Sequence, residues 1–338
     1  KCLLLDPRFP REINLEAFDH FFSLGYVPGP GTIFRNIHQV PPAHLLICEK
    51  SHLRLQRYWQ LTFNPDVGRT PAYFQEKTLE LLQDSVKTHL VSDVPVGAFL
   101  SGGLDSGSVV ALMTELSSDP VNTFTVGYTG AGQYLNELPK AKAVADKCRT
   151  NHTEVIVAPT ISEILPEVMK AIDQPFADSS IIPSWYISKV ASQHVKVALS
   201  GLGGDELFGG YERYAGLLVA DHYQHLPSLV KDRLLAPLVH FLPESRSGNP
   251  LTGRLKRFVR GATLPPDLRY FSYLSIFSRE EKLELLSQDL GHDIAQLPTE
   301  ELVRFHFNSP AAADTLHKAI NVDIHTYLPD DILMLTDR

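Results

Sequence analysis

Cysteine is scarce: the 338 residues hold three, Cys2, Cys48 and Cys148, far apart and without a CxxC spacing. That excludes a disulfide framework and a cysteine-rich zinc site, and it suits a reducing, cytoplasmic compartment. Basic charge is also short, with 31 Lys and Arg against 39 Asp and Glu and a net charge of -8. A nucleic-acid binder or a polybasic membrane-surface protein shows the opposite balance. No run reaches the roughly 18–20 uninterrupted apolar residues of a membrane span. The start, KCLLLDPRFPRE, lacks the apolar length of a signal peptide. The expectation is a soluble protein with neither a nucleic-acid nor a membrane partner. Its 14 histidines are scattered, and the one close pair, His222 and His225 in DHYQH, lacks further ligands at metal spacing and reads as a polar helix face.

What is present is a globular composition, 43% hydrophobic and 21% charged, at a length that suits about two domains. Near the start, Asn14 is placed to cap a short helix with Leu15, Phe18 and Phe22 on one face, ended by Gly25. AHLLICEKSHLRLQRYWQL then reads as a β-hairpin at a sheet margin, turning at Glu49 to His52, with Leu53 and Leu55 alternating. Pro65, Gly68 and Pro71 mark a linker. From Ala72 the pattern changes to helix alternating with apolar strand. Helices are expected over 72–90, 106–116, 136–148, 161–172 and 183–193, and strands over 94–100, 122–128, 152–157 and 195–201. Such an alternation predicts a doubly wound parallel sheet covered on both faces. Beyond residue 211 the strand signals stop, and HYQHLPSLVKDRLLAPLVHFL and REEKLELLSQDL read as helices.

The chemistry is concentrated in AFLSGGLDSGS, at 98–108, where the first strand turns into its helix. Ligands of open α/β sheets bind outside the carboxyl ends of the strands, and a helix N-terminus offers unpaired N–H groups to an anion. Gly102 and Gly103 let the backbone wrap phosphate oxygens, and Ser101 and Ser106 add hydroxyls. No Lys follows the glycines as in the common triphosphatase loop, and Asp105 would repel bare phosphate, so the loop calls for Mg²⁺ between the two. The alternative is a plain turn in which Asp105 and Ser106 cap the helix. A second loop, SGLGGDELFGGY at 200–211, again follows an apolar strand and carries acids, Asp205 and Glu206. Parallel strands put both loops on one sheet edge, where Asp105 and Asp205 could meet on one metal. Together they suit ATP and Mg²⁺.

SGGLDS resembles the pyrophosphate-loop signature of N-type ATP pyrophosphatases. With the second loop, DQPFADSSIIPSWYIS at 173–188, YLPDDILMLTDR at 327–338 and GTIF…PPAH…RYW at 31–59, the chain resembles the synthetase domain of glutamine-dependent asparagine synthetases along nearly its whole length. The resemblance implies an adenine nucleotide α-hydrolase-like ATP pyrophosphatase domain over 63–338 with an α-helical C-terminal extension and a truncated end. It also implies a small α+β remnant over 1–62, the C-terminal part of an N-terminal-nucleophile glutaminase domain. By the same resemblance Ser101, Gly102, Gly103, Asp105 and Ser106 hold pyrophosphate, Asp105 and Asp205 share Mg²⁺, and the backbones of Phe99, Val126, Ser200 and Gly201 bind adenosine. Glu206 and Asp337 fall in the substrate pocket. The implied reaction activates aspartate with ATP as β-aspartyl-AMP, releasing pyrophosphate, and glutamine-derived ammonia then displaces AMP. Small molecules are the implied partners, and a homodimer is left open.

The pattern departs from the family at Leu202, where an acid usually stands between the glycines of the second loop, so that acid's role is not carried over. This keeps open a related amidotransferase acting on another carboxylate (a sugar, peptide or secondary metabolite) and a nucleotide-binding member without turnover. Cys2, followed by LLLDP, reads as an ordinary turn cysteine and not as a glutaminase nucleophile. The basic run Arg254, Lys256, Arg257 and Arg260 reads as a solvated helix face, and Tyr270, Phe271 and Tyr273 as core.

Overall fold

The structure, a computed structural model, describes residues 1–129, 136–157, 161–224, 251–294, 297, 299–312 and 314–336. The chain divides into two compact units, one of Lys1–Phe63, Asp173–Asp178 and Asp205–Asp331, the other of Asn64–Ile172, Ser179–Gly204 and Ile332–Arg338.

The first unit opens with Cys2 exposed in a single turn of 3₁₀-helix, followed by α1 (Leu15–Leu24). Asn14 caps α1 as its residue type predicts, accepting from the N–H groups of Glu16 and Ala17, and Gly25 ends it in the left-handed conformation at φ 89°. Its most buried side chains are Ala17, Asp19, Ser23 and Leu24, so two polar groups lie deeper than the expected apolar face of Leu15, Phe18 and Phe22. The hairpin forms at the expected place, β1 (His44–Glu49) antiparallel to β2 (His52–Arg57), turning through Lys50 and Ser51, both at positive φ. It is a separate two-stranded sheet and not the margin of a larger one. Leu46, Cys48, Leu53 and Leu55 share one face of it by register.

The second unit is the expected α/β layer structure. α2 (Pro71–His89) is capped by the Thr70 hydroxyl and reaches the core near its end, through Leu82 and Val86. Then come β3 (Val96–Phe99), α3 (Leu104–Leu116), β4 (Asn122–Tyr128), α4 (Leu138–Cys148), β5 (Asn151–Val157), α5 (Ile161–Ala171), α6 (Ile181–Ala191) and β6 (Val197–Leu199). All strand pairs are parallel, in the order β5-β4-β3-β6. Side-chain alternation separates two cores. Ala98 and Leu100 pack with Val110, Met113, Ala141 and Ala145 of α3 and α4, whereas Phe99, Phe124 and Val126 pack with Ile187 and Ala191 of α6. Helices therefore cover both faces.

The remainder of the first unit is helical, as expected: α7 (Gly204–Phe208), α8 (Glu212–Gln224), α9 (Leu251–Ala262), α10 (Pro266–Leu274), α11 (Arg279–Leu285), α12 (Gln288–Ile294), α13 (Thr299–Phe307) and α14 (Thr315–His325). REEKLELLSQDL forms two short helices and not one, α11 carrying a complete capping box between Ser278 and Glu281. Tyr270 is fully buried, and Phe271 and Tyr273 pack on the same cluster with Tyr214, Leu217, Val303 and Phe307. His225 and the stretch that follows it lie outside the described residues, as do the side chains of His222, Arg254, Arg257 and Arg260.

The buried polar side of α1 is explained by α11 and α13. Lys282 Nζ pairs with Asp19 and donates to Ser23 Oγ at 2.9 Å, and Thr299 donates its hydroxyl to the other Asp19 oxygen. These groups lie at 8% side-chain exposure or less, so removal of one partner leaves an uncompensated buried charge. Asp19→Ala is expected to lower unfolding free energy by about 3–5 kcal/mol in urea melts. Lys142→Ala, which breaks the exposed pair with Asp146, should leave the midpoint nearly unchanged.

Candidate functional site

The strand order makes β3 and β6 neighbours, so the loops that leave their carboxyl ends meet. In the first loop the Ser101 N–H donates to Ser106 Oγ at 3.2 Å, the two hydroxyls lie 2.9 Å apart, and the Gly103 N–H donates to Ser101 Oγ at 3.2 Å. The hydroxyls thus hold the loop in a tight curl. Gly102 sits at φ +77°, and a Cβ there would come within 2.5 Å of the Ala141 nitrogen, so the position takes only glycine. α3 starts two residues earlier than its periodicity suggests, with Gly103 as N-cap and no side-chain cap bond. Asp105 and Ser106 stand in its first turn and not at its cap, so the plain capping turn is not what forms.

The second loop closes onto the first. A Cβ on Gly201 would lie 2.5 Å from the Ser106 nitrogen, and one on Gly204 would lie 2.5 Å from Asp105 Cγ. Backbone without side chains therefore crosses the start of α3 and lies against the Asp105 carboxylate. A helix N-terminus without a side-chain cap, ringed by glycine backbone and two hydroxyls, has the donor set and the close access that a phosphate chain needs. A carboxylate at its edge suits Mg²⁺, which takes one or two carboxylates together with phosphate oxygens. Among the described residues no group of three or more His, Cys, Asp or Glu is arranged to hold a metal by itself.

Of the expected residues, Ser101, Gly102, Gly103, Asp105, Ser106, Ser200 and Gly201 come together in this unit. Phe99 and Val126 stand at the strand ends beside them. β3 ends at Phe99, opposite Phe124, and successive residues of a strand present their N–H and C=O to alternate sides. The Val126 backbone therefore faces the side that β3 has vacated. Asp337 lies outside the described residues.

Asp205 and Glu206 belong to the other unit. There Gly210 packs against Asp205, its N–H bonded to the Asp205 carbonyl at 2.9 Å. Glu206 is fully buried and accepts from the Tyr211 hydroxyl at 2.6 Å, while its second oxygen has no partner. Burial pushes its carboxyl above the ordinary range. Nearby, one oxygen of the fully buried Asp323 accepts from the hydroxyls of Tyr214 and Tyr270, each at 2.5 Å, and from Arg213 Nη2 at 2.8 Å. The Arg213 guanidinium lies over the rings of Tyr211 and Tyr327 at 3.8 and 4.6 Å.

Sequence reasoning assigned no role to a cavity of about 210 Å³ in this unit, whose charged lining is Asp178, Arg213 and Asp331. Burial, then the charge and hydrogen bond of Asp178, push the Asp331 carboxyl up to about 8. Both acids fall in segments that resemble the family, DQPFAD and YLPDD, which is the one signal that could have singled them out.

The family described as asparagine synthase matches residues 77–338, and the chain belongs to it. The chain is 32% identical over 329 residues to asparagine synthetase [glutamine-hydrolyzing] 1 of Bacillus subtilis, covering 97% of this chain and 50% of that protein. It is 30% identical over 198 residues to asparagine synthetase B [glutamine-hydrolyzing] of Escherichia coli, covering 53% of this chain and 34% of that one. It thus spans about half the length of its Bacillus relative. Among solved structures it is similar to an NH3-dependent NAD synthetase from Campylobacter jejuni, with a TM-score of 0.31 and 14% identity over 71% of this chain and 99% of that one.

The raised Asp331 carboxyl has a consequence for stability. Between an unfolded value near 4 and its folded value of about 8, the folded chain binds the proton and the unfolded chain does not. Its contribution to stability is therefore complete below roughly pH 4 and falls as the pH rises toward 8. Thermal melts of Asp331→Asn, compared with wild type across this range, are expected to show a flatter decline.

Proposed function

We propose that the chain is the synthetase part of an ATP-dependent, amide-forming ligase of the asparagine synthetase type. Aspartate would attack the α-phosphorus of ATP through its side-chain carboxylate, giving β-aspartyl-AMP and pyrophosphate, and ammonia derived from glutamine would then displace AMP. The observation that carries this reading is the crossing of the Gly201 backbone over the start of α3, with Asp105 at its edge, in a member of the asparagine synthase family.

On this reading Ser101, Gly102, Gly103 and Ser106 hold the pyrophosphate half of ATP through backbone N–H groups and hydroxyls. The backbones of Phe99, Val126, Ser200 and Gly201 hold adenosine. By the motif, Asp105 and Asp205 are the residues that would hold Mg²⁺, which would supply neutralisation of the charge on the leaving pyrophosphate. In-line transfer needs positioning and charge neutralisation more than covalent help from the protein. On this reading the first loop, already curled by the Ser101–Ser106 hydroxyl contact, would supply the positioning. Glu206, and by the motif Asp337, are assigned to the pocket of the amino-acid substrate, Glu206 as a buried acid whose Tyr211 bond fixes its orientation.

A second reading is favoured by Leu202, which stands 40% exposed where the family usually has an acid. A leucine neither accepts a proton nor pairs with an ammonium group, so a related amidotransferase acting on a different carboxylate fits that position better.

ATP–pyrophosphate exchange in the full-length protein separates the readings. Exchange that depends on aspartate and Mg²⁺, reduced about 100-fold or more by Asp105→Asn, is expected. Exchange driven only by another carboxylic acid would select the second reading, and ATP binding without exchange would overturn both.

A further inference from the structure

Thr125 carries a hydroxyl that packing does not require. By strand alternation its side chain lies on the face of β4 opposite Phe124 and Val126, the face on which Ala98 and Leu100 pack with α3 and α4. It is 2% exposed, and a valine of nearly the same shape would fill that space. A hydroxyl buried among apolar side chains needs an acceptor, and Thr125 donates to the Leu100 carbonyl. The Leu100 N–H donates to the Phe124 carbonyl at 2.9 Å, which continues the ladder one residue past the end of β3. In a parallel ladder the residue that gives its N–H to one carbonyl gives its own C=O to the N–H two residues further along, here that of Val126. Among the described residues the Leu100 carbonyl accepts from the Thr125 hydroxyl instead, and not from the Val126 N–H.

The peptide between Leu100 and Ser101 is thereby held at both ends. Its carbonyl is bonded to Thr125, and its N–H, on Ser101, donates to Ser106 Oγ at 3.2 Å. This peptide is the seam where the strand becomes the loop. We propose that Thr125 is a positioning residue of the nucleotide site: by occupying the Leu100 carbonyl it stops the ladder one step short and keeps the Val126 N–H, on the next residue, available to the nucleoside. The proposal rests on the ATP reading, in which the Val126 backbone holds adenosine, and adds to it a side chain that acts on the nucleoside only through the backbone.

Removal of the hydroxyl has a defined consequence. In Thr125→Val the carbonyl of Leu100, itself 1% exposed, loses its donor where water does not replace it. The donor that the ladder offers in its place is the Val126 N–H, so the nucleoside then competes with the protein for that group. The contact between the Ser101 and Ser106 hydroxyls and the bond from the Gly103 N–H do not involve Thr125, so the phosphate half of the site keeps its shape. The effect therefore divides between the two halves of ATP, with a loss for the nucleoside and none for pyrophosphate.

Calorimetric titration of the full-length protein with AMP, ATP and pyrophosphate, each with Mg²⁺, reads that division. Thr125→Val is expected to weaken AMP and ATP about tenfold and to leave pyrophosphate within about twofold of wild type, while Thr125→Ser, which keeps the hydroxyl, returns both nucleotides to within about threefold. Hydrogen exchange at single amides of the wild type needs neither variant to fold: without nucleotide the Val126 amide should exchange faster than the Leu100 amide, and AMP should slow it about tenfold or more. An equal loss of all these ligands in Thr125→Val, no rescue by Thr125→Ser, or a Val126 amide as slow as that of Leu100 before any ligand is added would overturn the role of Thr125. A wild type that binds neither AMP nor ATP would overturn the ATP reading together with this role, whereas a wild type that binds both and a Thr125→Val variant that binds them equally well would overturn the role alone.

Discussion

The candidate site depends on one close approach. Gly201 has no side chain, so the backbone after β6 can lie on the first turn of α3, and Gly204 does the same against Asp105. A methyl group at either position would stand within 2.5 Å of atoms that cannot all withdraw, because the Ser101 and Ser106 hydroxyls already pin the curl of the first loop. This contact exists only because β3 and β6 are adjacent and parallel, which brings the loops at their carboxyl ends to one place. The glycines, the serine pair and the strand order are thus parts of a single constraint. Alteration of any one of them changes the position of the uncapped helix start.

That constraint also reconciles a net charge of -8 with the phosphate site proposed above. Net charge governs long-range attraction and solubility. At the loop itself the field comes from backbone N–H groups at the start of α3, which point at one spot and are fixed before any ligand arrives. An arginine-rich loop would bind anions as well, but it would order long side chains on each binding event.

The sheet was legible because its signals are local. Short apolar runs bounded by Gly and Pro gave β3, β4, β5 and β6 within a few residues, and Asn14 and Gly25 gave both ends of α1. What could not be read depended on partners distant in sequence. Asp19 and Ser23 occupy the buried side of α1 because Lys282 and Thr299, more than 250 residues away, arrive to satisfy them. Among the described residues the hairpin is a separate sheet to which no third strand bonds, which its own alternation of Leu53 and Leu55 does not reveal. The start of α3 moved to Gly103 because Ser106, a plausible cap by residue type, is instead engaged by Ser101.

The buried acids of the helical unit show why residue identity alone assigns so little chemistry. Asp19 is held by a lysine and a threonine, and Asp323 by an arginine and two tyrosines. These bonds join helices, α1 to α11 and α13 through Asp19, and α8 to α10 and α14 through Asp323. Glu206 has one donor and one vacant oxygen, while Asp331 has a second acid in place of a base. Burial raises the proton affinity of both Glu206 and Asp331. Glu206 lies on the loop that bears the family motif, and Asp331 on the wall of the cavity, each with a buried oxygen that has no partner.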